Sequence, residues 1–517
     1  MTRKLRVFAV LVLLLALASL MSLYSYGRFA ERARGAPGQA LPADRIETPI
    51  DRVIAPLVVA RPGQSGLSLF SDNLDAFAVR AATARSAGRS LDLQYYLWHQ
   101  DLTGELLLYE LLRAADRGVR VRLLLDDLNA HRQDHLLAAL DLHRNVEVRM
   151  FNPSRGRQNS LMRGMEMLLR GFSLNRRMHN KAWIADGRVA VVGGRNIGDE
   201  YFGAASNTQF LDADLAVIGP PVAQTATIFD AYWNSASAIP LAALAETRPD
   251  ALAGLRRVGE ADYRSPQARP YLQRLHQSPN VQALWQGHRE VHWTGEAQVH
   301  SDPPEKAVGV VRRPWLVDVL MPAMMGAQRE MQLISPYFVP GDAGVDALVG
   351  LRRRGVAVSV LTNSLAATDV AAVHGGYAPY RRPLLEGGVE LYELMPRGRS
   401  ESRLLGSSDA SLHTKAMMVD GEVGFVGSFN LDPRSINLNT EMGILFRDRA
   451  LTAELLRSYA QKTGPRSSYW VQLVDGRLTW EDGSEDPPHH WTREPDASLG
   501  RRVLARVVGW LPLESQL

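Results

Sequence analysis

The sequence predicts an α/β protein of two similar domains, each a mixed β-sheet flanked by helices, behind an N-terminal membrane-spanning segment. Two observations predict the duplicated fold. A segment of 18 residues recurs 234 residues further along the chain, and β-branched runs alternate with amphipathic helical stretches in both halves. A third observation, an uncharged apolar run near the N-terminus, predicts the membrane segment.

The N-terminal region, residues 1–35, has 21 uncharged residues at positions 7–27, enough to cross a bilayer core of about 30 Å. A cleaved signal peptide is the alternative, because positions 16–18 form an Ala-Leu-Ala site. Apolar residues continue past that site, which favours a retained anchor in the inner membrane. Basic residues at positions 3–6 predict a cytoplasmic N-terminus and a periplasmic catalytic part.

The composition excludes several classes of protein. The chain has 517 residues, 46% of them hydrophobic, and so is long enough for several packed domains. It has no cysteine, which excludes a disulfide scaffold, a thiol nucleophile and a zinc site with cysteine ligands. The net charge of +4 says little about partners, but only five of the 59 basic residues are lysines, so each lysine is informative.

Upstream of each repeated segment, predicted strands and helices follow in the same order. The first copy has strands at 91–97, 117–125 and 145–151 and a helix at 104–116; the second has strands at 331–338, 355–361 and 388–394 and a helix that ends at 354. We therefore predict the following regions: an anchor or signal segment (1–35), a first domain (50–235), a connector (236–312), a second domain (313–465) and a C-terminal hairpin with an amphipathic tail (466–517).

The repeated segment spans residues 179–196 and 413–430, and nine of its 18 positions are identical. Unrelated segments would share about one. Each copy predicts a strand, an Asp-Gly turn and a second strand. Since alternate residues of a strand share a face, each histidine points to the same side as the lysine two positions later. One such pair is weak evidence, but the same pair twice in register indicates a functional site.

Two histidines and two lysines suit phosphodiester chemistry without a metal or cofactor. One neutral imidazole attacks phosphorus and forms a phosphohistidine, and the other protonates the leaving alkoxide and then deprotonates the acceptor. The lysines neutralise the non-bridging oxygens, a role that metals often fill. Asn196 and Asn430 are candidates for further donors to those oxygens. The duplication supplies the second histidine that the mechanism needs.

Both segments resemble the HxKxxxxD motif of the phospholipase D superfamily, in the first copy His179, Lys181 and Asp186. The second copy has His413, Lys415 and Asp420. The resemblance implies a pseudo-dimer with one active site at the domain interface. It also implies that the N-terminal histidine is the nucleophile and the C-terminal one the general acid and base, an order that the residues themselves leave open. From the turn position alone, we expect both aspartates to brace the hairpin.

The superfamily also places a carboxylate downstream of each motif, hydrogen-bonded to a histidine so that its tautomer is fixed. Glu441 fits that position in the second half. In the first half Asp212 is our choice, with Asp214 as the alternative.

Within the superfamily the sequence is most similar to bacterial cardiolipin synthases, in three stretches: Tyr95-Tyr96-Leu97-Trp98, the His374-Gly-Gly-Tyr377 segment, and 501–514 at the C-terminus. This resemblance implies a phosphatidyltransferase that acts at the membrane on phospholipids, with phosphatidylglycerol as the expected donor. The stretch 501–511 predicts either a basic amphipathic helix at an anionic surface or a terminal helix packed on the domain. The stretch 162–170 predicts either a lipid-access surface or a core helix.

Two alternatives have the same chemistry. A phospholipase D would release phosphatidic acid, and a membrane-tethered nuclease would cleave nucleic acid. Nucleic-acid binding is not expected, because the sequence shows no clear basic stripe with stacking aromatics. A catalytically inactive scaffold is disfavoured because both copies keep histidine and lysine.

Overall fold

Two α/β halves follow an N-terminal helix in the computed structural model, which describes residues 3–130, 133–157, 160–206, 208–396, 409–511 and 514–516. Each half is built on one large mixed sheet, of nine strands in the first half and ten in the second. Helices pack on these sheets, as the predicted fold class requires. Pro512 and Leu513 of the similar C-terminal stretch lie outside the described residues.

The helices and strands of the first half run in the order α1 (Arg3–Arg32), α2 (Pro49–Val59), β1 (Ser65–Phe70), α3 (Asn73–Ser86), β2 (Ser90–Tyr95), α4 (Leu102–Asp116), β3 (Arg120–Asp126), α5 (Asp127–Ala130), α6 (Asp134–Asp141), β4 (Val146–Phe151), α7 (Ser160–Leu174), β5 (Ala182–Ala185), β6 (Val189–Gly193), α8 (Asp199–Phe202), β7 (Thr208–Leu211), β8 (Asp214–Ile218), α9 (Pro220–Trp233) and β9 (Ala238–Pro240).

The connector and second half continue with α10 (Ala251–Tyr263), α11 (Ala268–Gln277), α12 (Pro279–Trp285), β10 (His292–Thr294), β11 (Ala297–Ser301), α13 (Leu316–Met325), β12 (Glu330–Ile334), α14 (Gly341–Arg353), β13 (Ala357–Asn363), α15 (Ala371–Tyr377), α16 (Arg381–Glu386), β14 (Glu390–Leu394), β15 (Asp409–Leu412), β16 (Ala416–Val419), β17 (Val423–Gly427), α17 (Pro433–Asn437), β18 (Met442–Arg447), α18 (Arg449–Thr463), β19 (Ser468–Val474), β20 (Arg477–Asp482), β21 (His489–Trp491) and α19 (Leu499–Trp510).

The two sheets share one strand order. The first contains β8-β6-β5-β2-β3-β4 and the second contains β18-β17-β16-β12-β13-β14. Parallel pairing is confined in both to the last three strands of that run, and the neighbouring pairs are antiparallel. The connector supplies an edge strand to each sheet, since β10 pairs with β1 and β11 pairs with β18. These connector strands therefore belong to the two sheets.

Helix α1 has the length and composition of a membrane span. The 29 residues from Lys4 to Arg32 include an 18-residue window with a mean hydropathy of 2.6, and that window is not buried against the protein. At 1.5 Å per residue a helix of this length exceeds a bilayer core of about 30 Å. Its C-terminal end packs on α7, where Arg170 lies over the ring of Tyr26 and Arg155 lies 4.7 Å from the ring of Phe29.

The repeated motif forms a hairpin in each half, β5–β6 and β16–β17. The turns have positive φ at both central residues, 54° and 66° at Asp186 and Gly187 and 53° and 69° at Asp420 and Gly421. This is the conformation in which Asp-Gly is favoured, because it matches the twist of the strands.

Both aspartates brace the chain that leads into the neighbouring strand. The Asp186 carboxylate accepts hydrogen bonds from the backbone N–H groups of residues 88–90, at 3.0, 2.7 and 3.0 Å. The Asp420 carboxylate accepts the equivalent bonds from residues 328–330, at 2.9, 2.7 and 3.0 Å. Each aspartate therefore ties its hairpin to the start of the parallel strands, β2 or β12.

Replacing either aspartate is expected to destabilise the fold. Asp186→Ala or Asp420→Ala leaves three backbone donors without their acceptor, which costs about 2–3 kcal/mol of unfolding free energy. Thermal unfolding measures this loss, with the exposed Asp250→Ala as a control that changes little. An unaltered unfolding midpoint together with lost activity would instead assign the aspartates a direct catalytic role.

Candidate active site

The two motif histidines lie where the halves meet, on segments that hydrogen-bond across the interface. Just before His179, the chain pairs with the segment that precedes Glu441: the His179 N–H donates to the Thr440 carbonyl at 2.9 Å, and the Thr440 N–H donates to the Arg177 carbonyl at 2.8 Å. The interface therefore fixes the backbone on which this histidine stands.

The second histidine is fixed in the same way by the first half. Strands β7 and β15 pair in parallel across the interface, and the His413 N–H donates to the Leu211 carbonyl at 2.8 Å. Asp212 follows β7 directly, as His413 follows β15. Each pairing thus brings a carboxylate of one half next to a histidine of the other.

Each histidine contacts a carboxylate crosswise. His179 Nδ1 lies 2.8 Å from Glu441 Oε2, and His413 Nδ1 lies 2.5 Å from Asp212 Oδ2. The structure therefore places both expected carboxylates at the site. With the carboxylate ionised, Nδ1 carries the proton, and the Nε2 lone pair is available for reaction.

Asp214, the alternative to Asp212, has a different environment. Its carboxylate forms buried ion pairs with Arg80 at 2.9 Å and with Arg195 at 3.3 Å, and it contacts neither histidine among the described residues. A buried pair of this kind holds the sheet to α3 and leaves Asp214 outside the reaction centre.

Hydroxyl groups hold Glu441 in place. Ser428 Oγ donates to Glu441 Oε2, and Ser435 Oγ donates to Oε1 at 2.9 Å. In the first half, Gly194 occupies the position of Ser428, and a Cβ there would lie 2.4 Å from Asp212 Oδ1. The two halves therefore differ at this position because each accommodates a different carboxylate.

The motif lysines are buried beside their histidines. Lys181 Nζ donates to the His179 carbonyl at 2.7 Å, and Lys415 Nζ donates to the His413 carbonyl at 2.5 Å. Both side chains are about 1% exposed. Two ammonium groups held in this way provide fixed positive charge for a phosphodiester, which is the requirement for electrostatic stabilisation of an anionic transition state.

Burial sets the protonation of the site. It lowers the pKa of both imidazoles well below the ordinary value, and the lysine charges add to the effect. Burial also lowers the pKa of Lys181 well below its ordinary value and that of Lys415 to about 8. In the empty site the histidines are therefore neutral near pH 7, the form that a nucleophile requires. The negative charge of a bound phosphodiester raises the imidazole pKa again and so favours protonation of one histidine.

The two asparagines differ in their surroundings. The Asn196 amide donates to the Tyr201 hydroxyl at 2.9 Å, and its oxygen accepts from the Leu97 N–H at 3.2 Å, so it supports the loop behind the site. The Asn430 side-chain oxygen is buried without a hydrogen-bond partner among the described residues. Donation from either amide to the substrate stays a prediction.

Aromatic walls around the histidines were not assigned to the site from the sequence. The ring of Tyr96 lies edge-on to His179 at 5.1 Å, and the rings of Tyr201 and Phe210 lie 5.2 and 5.1 Å from His413. These rings exclude water and so contribute to the lowered imidazole pKa values. Tyr96 lies in the stretch before α4 that resembles cardiolipin synthases. That resemblance singled out the residue but did not predict its contact with His179.

Groups with metal-ligand chemistry occur elsewhere among the described residues. One comprises His99, Asp101 and Glu200, and the other comprises His374, Glu393 and Glu494. Neither includes a motif histidine.

The duplicated α/β fold and its paired motifs define a protein of the phospholipase D superfamily. The family model described as "Cardiolipin synthase, PLD-like domain" matches residues 81–233 and 320–462, and the chain belongs to this family. The predicted superfamily, its cardiolipin synthase branch and the two-domain fold are thereby confirmed.

Relatives match over most of the chain. Cardiolipin synthase C of Escherichia coli K12 is 41% identical over 469 residues, which cover 89% of this chain and 98% of the relative. A cardiolipin synthase of Listeria monocytogenes serotype 4a is 26% identical over 415 residues, 80% of this chain and 72% of the relative. The crystal structure of phosphatidylserine synthase from Haemophilus influenzae shares the fold, with a TM-score of 0.54 at 12% identity, over 86% of this chain and 92% of that one.

Activity is expected to depend on pH in a defined way. As the pH falls through about 7, Glu441, whose pKa burial raises to about 7, takes up a proton and no longer fixes the tautomer of His179, so kcat/KM falls. At lower pH, below the lowered imidazole pKa values, protonation of His179 removes the nucleophile. Above pH 8, Lys415 loses its proton and its charge, and kcat/KM falls again. The measurement is a pH profile of kcat/KM.

The Lys415→Arg variant tests the basic limb, because a guanidinium stays charged across this range. Any residual activity of this variant should lack the fall above pH 8, whereas Lys462→Arg, outside the site, should keep it. A basic limb that persists unchanged in Lys415→Arg would assign it to another group.

Proposed function

We propose that this protein is a membrane-anchored phosphatidyltransferase of cardiolipin synthase type, which moves a phosphatidyl group from one phospholipid to a hydroxyl of another. The observation that carries this proposal is the pair of buried histidines, each in contact with a carboxylate of the opposite half and beside a lysine. Phosphatidylglycerol is the expected donor and acceptor, with cardiolipin and glycerol as the products.

The first half-reaction forms a covalent intermediate. His179 Nε2 attacks phosphorus, the bond between phosphorus and the leaving glycerol oxygen breaks, and His413 donates its Nε2 proton to that oxygen. His413 takes up this proton from solvent when the phosphodiester anion binds, because the negative charge raises the pKa of an imidazole. The two imidazole charges repel one another, so His179 stays neutral and keeps the Nε2 lone pair. Lys181 and Lys415 stabilise the charge that develops on the non-bridging oxygens.

The second half-reaction returns the enzyme to its starting state. His413, now neutral, takes the proton of the acceptor hydroxyl as its oxygen attacks phosphorus, and the bond between phosphorus and His179 breaks. Water in place of the lipid hydroxyl would give phosphatidic acid, so exclusion of water by the aromatic walls favours transfer over hydrolysis.

A groove beside α7 is suited to guide lipid to this site. The cavity has a volume of about 370 Å³ and is lined by Leu128, Met167, Leu168, Gly171, Leu174, Asn175, Arg177, Arg434 and Gln516. Its wall is apolar along α7. Its basic end lies near His179. Burial is the main cause of the lowered pKa of His179, and the charge of Arg434 is close enough to lower that pKa further. Acyl chains along α7 would therefore bring the phosphate to the site.

The membrane arrangement follows from α1. This helix packs on α7, so an inner-membrane span places the groove next to the bilayer. The basic residues at positions 3–6 support a cytoplasmic N-terminus, with the catalytic part in the periplasm.

Both histidines are expected to be essential. With phosphatidylglycerol vesicles and EDTA present, the wild type should release glycerol and form cardiolipin, while His179→Ala and His413→Ala should each lower the rate by about 10³-fold or more. Lipid mass spectrometry measures the products, and the exposed His490→Ala is the control that keeps activity. A donor whose leaving group needs no proton separates the roles: His413→Ala should still form the covalent intermediate, and His179→Ala should not.

Three outcomes would contradict the proposal. Phosphatidic acid as the sole product would assign a phospholipase D, and cleavage of DNA without any lipid reaction would assign a nuclease. Loss of activity in EDTA that a divalent ion restores would contradict the role given to the lysines.

The α7 groove yields a prediction of its own. Leu168 is 64% exposed on the apolar side of this groove. Leu168→Asp places a charge there and should raise KM for bilayer phosphatidylglycerol several-fold, because acyl chains no longer pack against it. A short-chain, water-soluble phosphatidylglycerol should be turned over at the wild-type rate. Val474→Asp, an exposed apolar position on β19, is the matched control. Equal effects on both substrates would place the defect in the fold and not in lipid access.

A further inference from the structure

A second cavity, remote in sequence from both motifs, is surrounded by arginines. It lies between α15, α16, the β20–β21 segment and α19, and has a volume of about 730 Å³. We call it the arginine pocket; its basic lining residues are Arg381, Arg382, Arg477, Arg493, Arg502 and Arg506. Glu494 is the one acidic residue of the lining.

The single acid of this lining does not balance the arginine charge. Glu494 is paired with Arg381 at 2.7 Å, and Arg381 also donates to Glu393 at 2.7 Å, so these three groups together carry one negative charge. Arg382 pairs with Glu386 at 3.5 Å, which leaves four arginines of the lining to set the sign of the pocket. Within the described part of the chain, Arg477, Arg493 and Arg506 have no carboxylate within 4 Å. Arg502 Nε is buried and lacks a hydrogen-bond partner among the same residues. The arginine pocket therefore carries a strong positive charge toward solvent.

The surface beside this pocket is apolar. Helix α19 packs on α15 through Ala505 and turns the opposite side to solvent, where Trp510 is 78% exposed and Val503 is 54% exposed. Trp510 also lines the pocket. A basic cavity at the edge of an exposed apolar helix with a terminal tryptophan has the chemistry of an anionic membrane interface, because phosphate pairs with guanidinium and indole lies at headgroup level.

The chain links this surface to the membrane-proximal part of the molecule. Beyond α19, Gln516 Oε1 accepts a hydrogen bond from Asn175 at 2.7 Å, at the end of α7. Arg434 also donates to the Gln516 carbonyl at 3.3 Å. Helix α7 is the helix on which α1 packs. Helix α19 is thus connected directly to the groove and helix expected next to the bilayer.

We propose that the arginine pocket binds the phosphate of an anionic phospholipid while α19 lies in the bilayer interface. This site is distinct from the reaction centre, since it contains none of the motif residues. It holds the second half of the molecule against membrane that is rich in anionic lipid. The two alternatives for the C-terminal helix are then combined: one face packs on α15 and the other meets lipid.

Native mass spectrometry of the full-length chain in mild detergent tests this site. The His179→Ala background prevents turnover, so the result does not depend on transferase activity. The chain should retain a phosphatidylglycerol molecule in addition to any held at the reaction centre, in preference to phosphatidylethanolamine, and Arg493→Gln with Arg506→Gln should lower the population that carries this additional lipid at least tenfold. Arg248→Gln with Arg264→Gln removes the same charge from exposed connector positions and should leave retention unchanged.

Further measurements separate a lipid from a free anion. Trp510→Ser with Val507→Ser should also weaken phosphatidylglycerol retention, because the apolar face contacts acyl chains. Retention that inorganic phosphate abolishes and the α19 substitutions leave unchanged would assign a free-phosphate site and overturn the lipid assignment. Equal retention by the arginine variant and the wild type, with equal unfolding midpoints, would overturn the proposal altogether.

Discussion

Hydrogen bonding between backbones of the two halves is the constraint on which the active site depends. β7 pairs with β15, and the chain before His179 pairs with the chain before Glu441. Because each pairing sets a register, it fixes which carboxylate reaches which imidazole. A shift of one residue would turn the carboxylate away from its histidine, so the geometry of the reaction centre is inherited from the domain interface.

Burial follows from the same interface and determines the chemistry. The halves enclose two histidines and two lysines in a space walled by aromatic rings, so burial lowers the pKa values of all four groups. With a pKa of about 8, Lys415 still carries its charge at pH 7. In the proposed mechanism, a neutral His179 is suited to be the nucleophile, and an anion that binds favours protonation of His413, as its role as general acid requires. Each lysine is held in position by a hydrogen bond to the carbonyl oxygen of its own motif histidine.

The proposed membrane contacts form a second level of organisation. Helix α1 packs on α7, α7 lines the groove with Arg434 at its basic end, and the C-terminal residues connect that end to α19 and the arginine pocket. Apolar surface and arginine charge thus occur together at both places, which is the combination that a phospholipid interface requires. The reaction centre, by contrast, uses lysine for its fixed charge.

The sequence by itself determined the duplicated α/β fold, the apolar helix and the residues of the paired motifs, because strand periodicity, the Asp-Gly turn and the repeat are local patterns. The sequence also indicated Asp212 and Glu441 as the carboxylates that contact the motif histidines. Only the tertiary structure decided that each carboxylate serves the histidine of the other half, that Asp214 pairs with Arg80 instead, and that Tyr96 and Tyr201 wall the site. These contacts join residues far apart in the chain, and their partners are fixed by strand register across the interface, which no local pattern encodes.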